Sequence, residues 1–517
     1  MARNEIKKAI ESIMEGSPNP KIDYSPNPDF GDYSTNVALQ EKLNPNEVAK
    51  KLQGFEVFEK VEAKNGFINF FLSKKYLQNK VKEILKQKNK FGSLTKSKGK
   101  SIQVEFISAN PTGPLTLGNG RGGFCGDVLA NVLKKAGFKV EREYYLNDRG
   151  VQVKALGHSV LGDDQAVYKG VYIKNLQKQM ELDLVKFKDS EKVGEMAVKI
   201  VFNKMIKPTI KRMGIKYDVW FSEKSLYKKK KVATVLEILK KKGLAYVKDG
   251  ALWFASTKFG DDKDRVLVKA DGEETYLASD IAYIKDKKDR GFDKIIYFWG
   301  ADHHGYVGRM KSAALALGYN PDDFIFLVMQ LVNLFKDGKE VRMSKREGVY
   351  VLLDELLDEV GVDATRFFFL TRTYNTHLNF DLDLAKSRSQ KNPVFYVQYA
   401  HARMQSILAK LKTQNSKLKI TSQNLNLLNH PSELALIKQL IKLPEVVEDT
   451  ASDYQVQRLP QYAMDLATAF HRFYTDCHVI NKDNKHLSQA RLALVKATQI
   501  TLKNTLDLMG ITAPNKM

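Results

Sequence analysis

Apolar and polar positions change their period twice along this chain. Residues 1–15 carry helical period, and Pro18, Pro20, Pro26 and Pro28 then impose an extended stretch that ends at FGDYSTNVALQEKL, residues 30–43, where a second helix begins. Pro45 opens a third helical stretch, as a first-turn proline should. Residues 55–72 alternate like two strands joined at Asn65-Gly66, the strongest short-range hairpin signal. A lysine-rich helix over residues 74–90 runs into a polar linker over 93–100, which marks a first boundary. The pattern predicts a small α/β module.

From Ser101 strand and helix alternate: strand 102–107, helix 124–136, strand 139–146, then, after an insertion, strand 294–299, helix 305–317 and strand 324–334. Such units predict a parallel sheet with right-handed crossovers. The insertion spans about 160–260, with a long helix over 191–213, a lysine run at Lys228–Lys231 and a hairpin at Asp249-Gly250. Beyond about residue 385 every segment has helical period. The expected fold class is therefore α/β, a Rossmann-like parallel-sheet core with an N-terminal α/β module and a C-terminal all-helical bundle. The expected domains are 1–97, 98–385 with its insertion, and 386–517.

Charge sharpens this division. The chain has 83 basic and 60 acidic residues, a net charge of +23 with pI near 9.5, which favours a polyanionic partner. The excess is +7 over residues 1–100, +7 over the much longer 101–385 and +9 over 386–517, so per residue it lies in the flanks. Terminal modules gripping a nucleic acid around a nearly balanced centre would produce that distribution; a basic but merely solvated surface is the bland alternative. Cys125 and Cys477 lie far apart with no CxxC pair, which supports neither a disulfide framework nor a cysteine-rich zinc site and fits a reducing, cytoplasmic setting. No run approaches the roughly 18 apolar residues of a membrane span; the longest, 324–335, reads as a buried strand.

The stretch SANPTGPLTLGNGRGGFCGD, Ser108 to Asp127, sits where the first strand of the alternating region gives way to helix. Six glycines and two prolines interrupt residues 111–126, which predicts a loop whose backbone can approach a ligand, with the following helix start as an anion site. Gly118, Gly120 and Gly123 formally fit GxGxxG with Glu141 about 20 residues on. A dinucleotide fingerprint needs its first glycine directly after the strand, whereas residues 108–117 intervene here, so that reading is set aside.

Other side chains fall where chemistry is expected. Glu105 and Asn110 flank the carboxyl end of the strand, where open α/β sheets bind ligands. A carboxylate and an amide there can hold an ammonium or a guanidinium, or Glu105 can be a paired structural acid. Tyr276 and Asp280 share one helix face, and Asp280 offers a guanidinium its bidentate partner unless it is an N-cap. His303-His304 without further clustered ligands makes a poor metal site. RMSKR, Arg342 to Arg346, follows a predicted turn at Asp337-Gly338 and is either a solvated cationic loop or a phosphate ligand. Tyr396, Tyr399, His401 and Arg403 lie on a basic helical segment, where aromatics either stack on bases or fill the core.

Taken in order, these stretches resemble one family. SANPTGPLTLGN is similar to the ATP-binding signature of class I aminoacyl-tRNA synthetases in its arginyl-tRNA synthetase form, and RMSKR resembles the second class I signature, KMSKS. YLASDIAY (276–283), WGADHHGYVGRM (299–310), NPVFYVQYAHAR (392–403) and the terminal MGITAPNKM resemble the same family, as FGDYSTNVAL resembles its extra tRNA-binding domain. The resemblance implies an enzyme that makes arginyl-adenylate from arginine and ATP and passes arginine to the terminal ribose of tRNA(Arg), with tRNA needed for the first step and no editing. Magnesium would arrive with ATP, without protein-bound zinc. It further implies a monomer whose N-terminal module touches the tRNA body and whose helical domain reads the anticodon, with Tyr396, Tyr399 and Arg403 as candidate tRNA contacts. Arginine would meet Glu105, Ser108, Asn110, Tyr276, Asp280 and His303. ATP would meet Pro111, Thr112, Gly113, Pro114, Gly118, Gly120, Arg342, Met343 and Ser344, with Thr116, Asn119 and Lys345 in catalysis. The departure lies in the first signature, where the family usually has two histidines and this chain has Thr116 and Asn119, which donate hydrogen bonds but carry no charge. Two rivals stay open: a class I synthetase for lysine, and a catalytically silent tRNA-binding protein.

Overall fold

A computed structural model describes residues 1–14, 20–25, 27–95, 97–341, 352–413, 422–481 and 483–517. These divide into two compact units, one of residues 95–387 with 455–457, the other combining residues 1–94 with 388–454 and 458–517.

The first unit is built on five parallel strands, β1 Ser101–Glu105, β2 Lys139–Leu146, β3 Val219–Ser222, β4 Lys294–Gly300 and β5 Phe324–Met329, in the spatial order β5-β4-β1-β2-β3. All five carboxyl ends lie along one edge, and β1 in the middle is the switch point at which such sheets bind ligands. The edge strand β3 comes from within the stretch read as insertion. Tyr145 and Tyr297 of the sheet pack with Ile281 and Tyr283 of the helix Tyr276–Asp289, while Val104 and Phe106 are fully covered.

Two expectations fail informatively. The apolar run 324–335 is two strands: β5 ends at Met329, and Val332–Lys336 joins a separate three-stranded sheet with Lys339–Val341 and Leu378–Asp381. Gln330 marks the switch, giving its N–H to Tyr374 and its carbonyl to Arg121. The glycine-rich run is also not a loop beyond Thr116, because the helix α1 runs from Leu117 to Lys135 and contains Gly118, Gly120, Gly122, Gly123 and Gly126. A side chain at Gly126 would stand 2.4 Å from Phe106, and one at Gly123 would stand 2.8 Å from Ile107 and Met213. These glycines let α1 lie directly on the end of β1, which packing permits despite their poor helix propensity.

In the second unit, the order Asp23–Tyr24, Tyr33–Thr35, Phe67–Leu72, Phe58–Lys64 forms an antiparallel sheet closed by the Asn65-Gly66 turn, with both residues at positive φ. The C-terminal part is helical throughout its described length, as the periodicity predicts. A single buried carboxylate joins the terminal segments: Glu445 accepts from the Arg3 N–H at 2.9 Å and from the hydroxyls of Tyr24 and Tyr33 at 2.8 and 3.0 Å.

Candidate active site

The chain leaves β1 under strain. Ile107 and Ser108 both have positive φ, 64° and 38°, a conformation that costs a β-branched residue most and that clusters at functional sites. Neighbouring rings hold the turn, with the Tyr217 hydroxyl donating to Phe106 O at 2.8 Å and the Tyr144 hydroxyl to Ala109 O at 2.9 Å. Ser108 is fixed between Glu105, to which its hydroxyl donates at 3.1 Å, and the Tyr145 N–H, which donates to it at 3.1 Å.

Glu105 proves to be a paired acid. It is buried at 6% exposure and accepts from Lys287 Nζ at 2.5 Å and from the Tyr283 hydroxyl at 3.0 Å. Tyr283 also bonds Glu143, which is held by Arg290 at 2.6 and 3.0 Å. Lys287, fully buried, lies 4.1 and 4.0 Å from the ring centres of Tyr283 and Tyr297, and burial outweighs the two carboxylates to pull its pKa down. Glu105 thus accepts from Ser108, Tyr283 and Lys287.

Asp280 has a different surrounding. It is half-buried, accepts from the Tyr306 hydroxyl at 2.6 Å, and its pKa is pushed up to about 6, by burial first and by Glu105 in addition, with Tyr306 and Lys287 pulling back. Beside it stands Glu223, which reading the sequence missed. Glu223 is 3% exposed, its Oε2 is buried with no hydrogen-bond partner, and its pKa rises to about 7 through burial and then through the Asp280 charge, partly offset by Ser279 and Arg149. Both carboxylates are raised, Glu223 by burial and Asp280, Asp280 by burial and Glu105, and neither has a cation in ion-pair contact among the described residues, so a positively charged group would be favoured between them. Glu223 follows β3 directly, so a carboxylate just past an apolar VWFS run was the signal available; only the pairing of β3 with β2 shows where it lies.

The remaining predicted ligands divide. Asn110 is exposed and linked to Asn147 at 2.6 Å, while Tyr276 is half exposed with its hydroxyl beside Gly150. His303 faces Asp302 at 3.6 Å and is not brought into hydrogen-bond contact with Asp280; Tyr306 from the same segment makes that contact. Pro111 is buried, Thr112 and Pro114 are half-buried, and Gly113 lies under the Tyr172 ring, which would stand 3.3 Å from a side chain there. Gly118 is exposed at the start of α1, whereas a side chain at Gly120 would point inward, 2.5 Å from Leu353. Thr116 and Asn119 are bonded to each other, Asn119 Oδ1 accepting from the Thr116 N–H at 3.0 Å and hydroxyl at 2.9 Å. The pair is a helix cap, and it leaves the Asn119 Nδ2 group and the first free N–H groups of α1 as donors at the positive end of the helix. Arg342, Met343, Ser344 and Lys345 lie outside the described residues; Leu352, just beyond them, pairs with Thr116.

In the second unit Tyr396 and Tyr399 pack on His471 at ring separations of 4.9 and 6.1 Å, and Arg403 donates to the Tyr399 hydroxyl at 2.7 Å while lying 4.3 Å over Tyr474. His401 is buried in the core between Pro514 O and Gln499 and is not available to a base.

Comparison with known proteins decides what this arrangement belongs to. Residues 80–369 match the tRNA synthetases class I (R) catalytic domain, residues 1–72 the arginyl tRNA synthetase N-terminal domain and residues 397–517 the DALR anticodon binding domain. The arginine–tRNA ligase of Carboxydothermus hydrogenoformans is 44% identical over 516 residues, covering 94% of this chain and 92% of that protein. The chain belongs to the arginyl-tRNA synthetase family. The arginine–tRNA ligase of Bacillus subtilis is 43% identical over 547 residues, covering 100% of this chain and 98% of that protein. Arginyl-tRNA synthetase from Thermus thermophilus shares the fold, with a TM-score of 0.81 over the full length of both chains at 21% identity. Membership in this family excludes the dinucleotide reading. Among the described residues no helix is long and apolar enough to cross a membrane, and no group of three or more His, Cys, Asp or Glu could hold a metal ion.

Proposed function

We infer that the chain is an arginine–tRNA ligase, and that the unpaired carboxylates Glu223 and Asp280 are the guanidinium-binding end of its arginine pocket. The observation that carries this reading is the buried, unpartnered Glu223 Oε2 next to Asp280. A guanidinium offers five donors in a planar fork, and two carboxylates at one spot accept them bidentately, which a lysine ammonium cannot match. Tyr276 covers the alkyl stem, and Asn110 with Ser108 lies toward the amino-acid end, at the switch point of the sheet.

With arginine so held, its carboxylate oxygen attacks the α-phosphorus of ATP. The P–O bond to the β-phosphate breaks, pyrophosphate leaves, and arginyl-adenylate remains; the terminal ribose hydroxyl of tRNA(Arg) then takes the arginyl group and AMP departs. The nucleotide lies along residues 111–118, where the start of α1 supplies N–H donors to the phosphates. Asn119 Nδ2 is the donor that stands in for the family's histidines, and Thr116 orients it through the cap. Lys345, carried over from the motif, neutralises charge on the phosphates as they separate. Magnesium comes as part of the ATP substrate. The tRNA is gripped by the basic flanks, with Tyr396, Tyr399 and Arg403 on the helical side. The enzyme is a cytoplasmic monomer in this reading.

Arginine-dependent exchange of pyrophosphate into ATP, measured with tRNA present and omitted, tests the whole assignment. Exchange is expected with arginine and tRNA only. Exchange driven by lysine, or tRNA binding without exchange at any pH, would overturn it.

A further inference from the structure

In the turn that follows β2, Asn147, Asp148 and Gly150 each touch a different wall of the pocket, while Arg149 between them lies near enough to Glu223 to lower its pKa. Asn147 donates to Asn110 Oδ1 at 2.6 Å, and Gly150, with φ of +83°, leaves the Tyr276 hydroxyl 3.6 Å from where its side chain would stand. Between them, Asp148 accepts from the Ser222 hydroxyl at 2.5 Å through Oδ2 and from the Lys224 N–H at 3.0 Å through Oδ1. Those two donors bracket Glu223 in the chain. Glu223 itself is tied to the sheet by its N–H, which donates to Leu146 O at 3.1 Å.

The arrangement matters because β3 is an edge strand, paired among the described residues with β2 alone. The end of an edge strand opens more readily than the interior of a sheet, and a binding carboxylate placed there needs support from outside the ladder. Asp148 provides it on both sides of the residue concerned, one oxygen for each donor. An aspartate accepts both bonds with a charged group, whereas an asparagine keeps the Lys224 bond through its oxygen and meets Ser222 only by turning that hydroxyl round to accept, with the charge-assisted bond lost.

We propose that Asp148 is a positioning residue for arginine recognition, holding the turn that sets Glu223 in the pocket; this rests on the reading of Glu223 and Asp280 as the guanidinium site. The test is Asp148→Asn in the full chain, assayed by tRNA-dependent pyrophosphate exchange. The KM for arginine is expected to rise by about tenfold or more, as misplacement by a fraction of an ångström allows, with the KM for ATP and the affinity for tRNA within about twofold of the parent. Acting through Glu223 also makes the effect non-additive: in a Glu223→Gln background, Asp148→Asn should change the arginine KM by less than about twofold. Equal rises in both KM values, an additive cycle, or an unchanged arginine KM would overturn the proposal. If Asp148→Asn does not fold, Ser222→Ala, which removes one of the two bonds, carries the same comparison with a smaller rise. Glu223→Gln alone separates the two levels: no rise in arginine KM there removes the pocket reading itself, whereas a rise with Asp148→Asn silent removes only the positioning role.

Discussion

Two pairs of carboxylates lie in the same unit, three of the four acids buried and Asp280 half-buried, and their surroundings are opposite. Glu105 and Glu143 are matched by Lys287 and Arg290, with Tyr283 bonded to both acids. Glu223 and Asp280 have no cation in ion-pair contact among the described residues, Asp280 accepting only from the Tyr306 hydroxyl there, and both are pushed above their ordinary pKa. The first pair is neutralised within the chain; the second, on the reading proposed above, is matched by the substrate guanidinium. The contrast teaches that burial of acid near a sheet's switch point does not identify a binding site, but burial without internal compensation does.

The comparison breaks most sharply at Lys287. Lys287→Met leaves Glu105 and Glu143 buried with too little positive charge, and loss of one member of a buried pair costs about 3–5 kcal/mol. Chemical denaturation should show that loss; a change below about 1 kcal/mol would mean the network is not the scaffold described. Asp280→Asn should do the reverse, leaving stability nearly untouched while removing a charged hydrogen bond worth about 2–3 kcal/mol to the substrate. Steady-state kinetics should then show an arginine KM raised on the order of a hundredfold. An unchanged KM would take Asp280 out of the pocket.

The same contrast predicts how pH acts. Because Glu223 stands at about 7 and Asp280 at about 6, both above their ordinary values of 4.5 and 3.8, protonation is favoured in the folded state. Their contribution to stability is therefore full below about pH 4 and is lost as pH rises through 6 and 7. Arginine binding runs the other way, since the guanidinium needs both groups ionised. The arginine KM should fall on the order of tenfold between about pH 6 and pH 7.5, and Glu223→Gln should remove the upper part of that dependence. A flat profile for the parent enzyme would show that the two groups titrate outside this window.

Much of this was legible in the residues. The Asn65-Gly66, Asp249-Gly250 and Asp337-Gly338 turns, the alternating strands and helices, and the Tyr276–Asp280 face all follow from local chemistry, and the structure has positive φ at all six turn residues. What escaped depends on distant parts of the chain. Glu223 acquires meaning only through the pairing of β3 with β2, across more than 70 positions. The glycines of α1 read as loop because propensity sees their flexibility, whereas their use is to admit Phe106, Ile107 and Leu353. Glu105 could be read either as ligand or as scaffold, and its pairing with Lys287, from a helix far along the chain, could not be read from the local sequence.

The smallest predicted effect concerns the nucleotide side, where the contrast between scaffold and ligand falls within one residue. Asn119 spends its oxygen on the cap, accepting twice from Thr116, and on the reading proposed above its amide donates to the phosphates. Asn119→Ala should therefore lose both functions at once: about 1 kcal/mol of stability from the cap, and a raised KM for ATP with arginine KM unmoved. Asn119→Asp separates them, because a carboxylate still accepts from Thr116 yet turns negative charge toward the triphosphate. Stability should be retained in that variant and exchange activity lost. If Asn119→Asp keeps its activity, the phosphates are held by the N–H groups of α1 without Asn119, and the replacement of histidine at this position is a matter of capping alone.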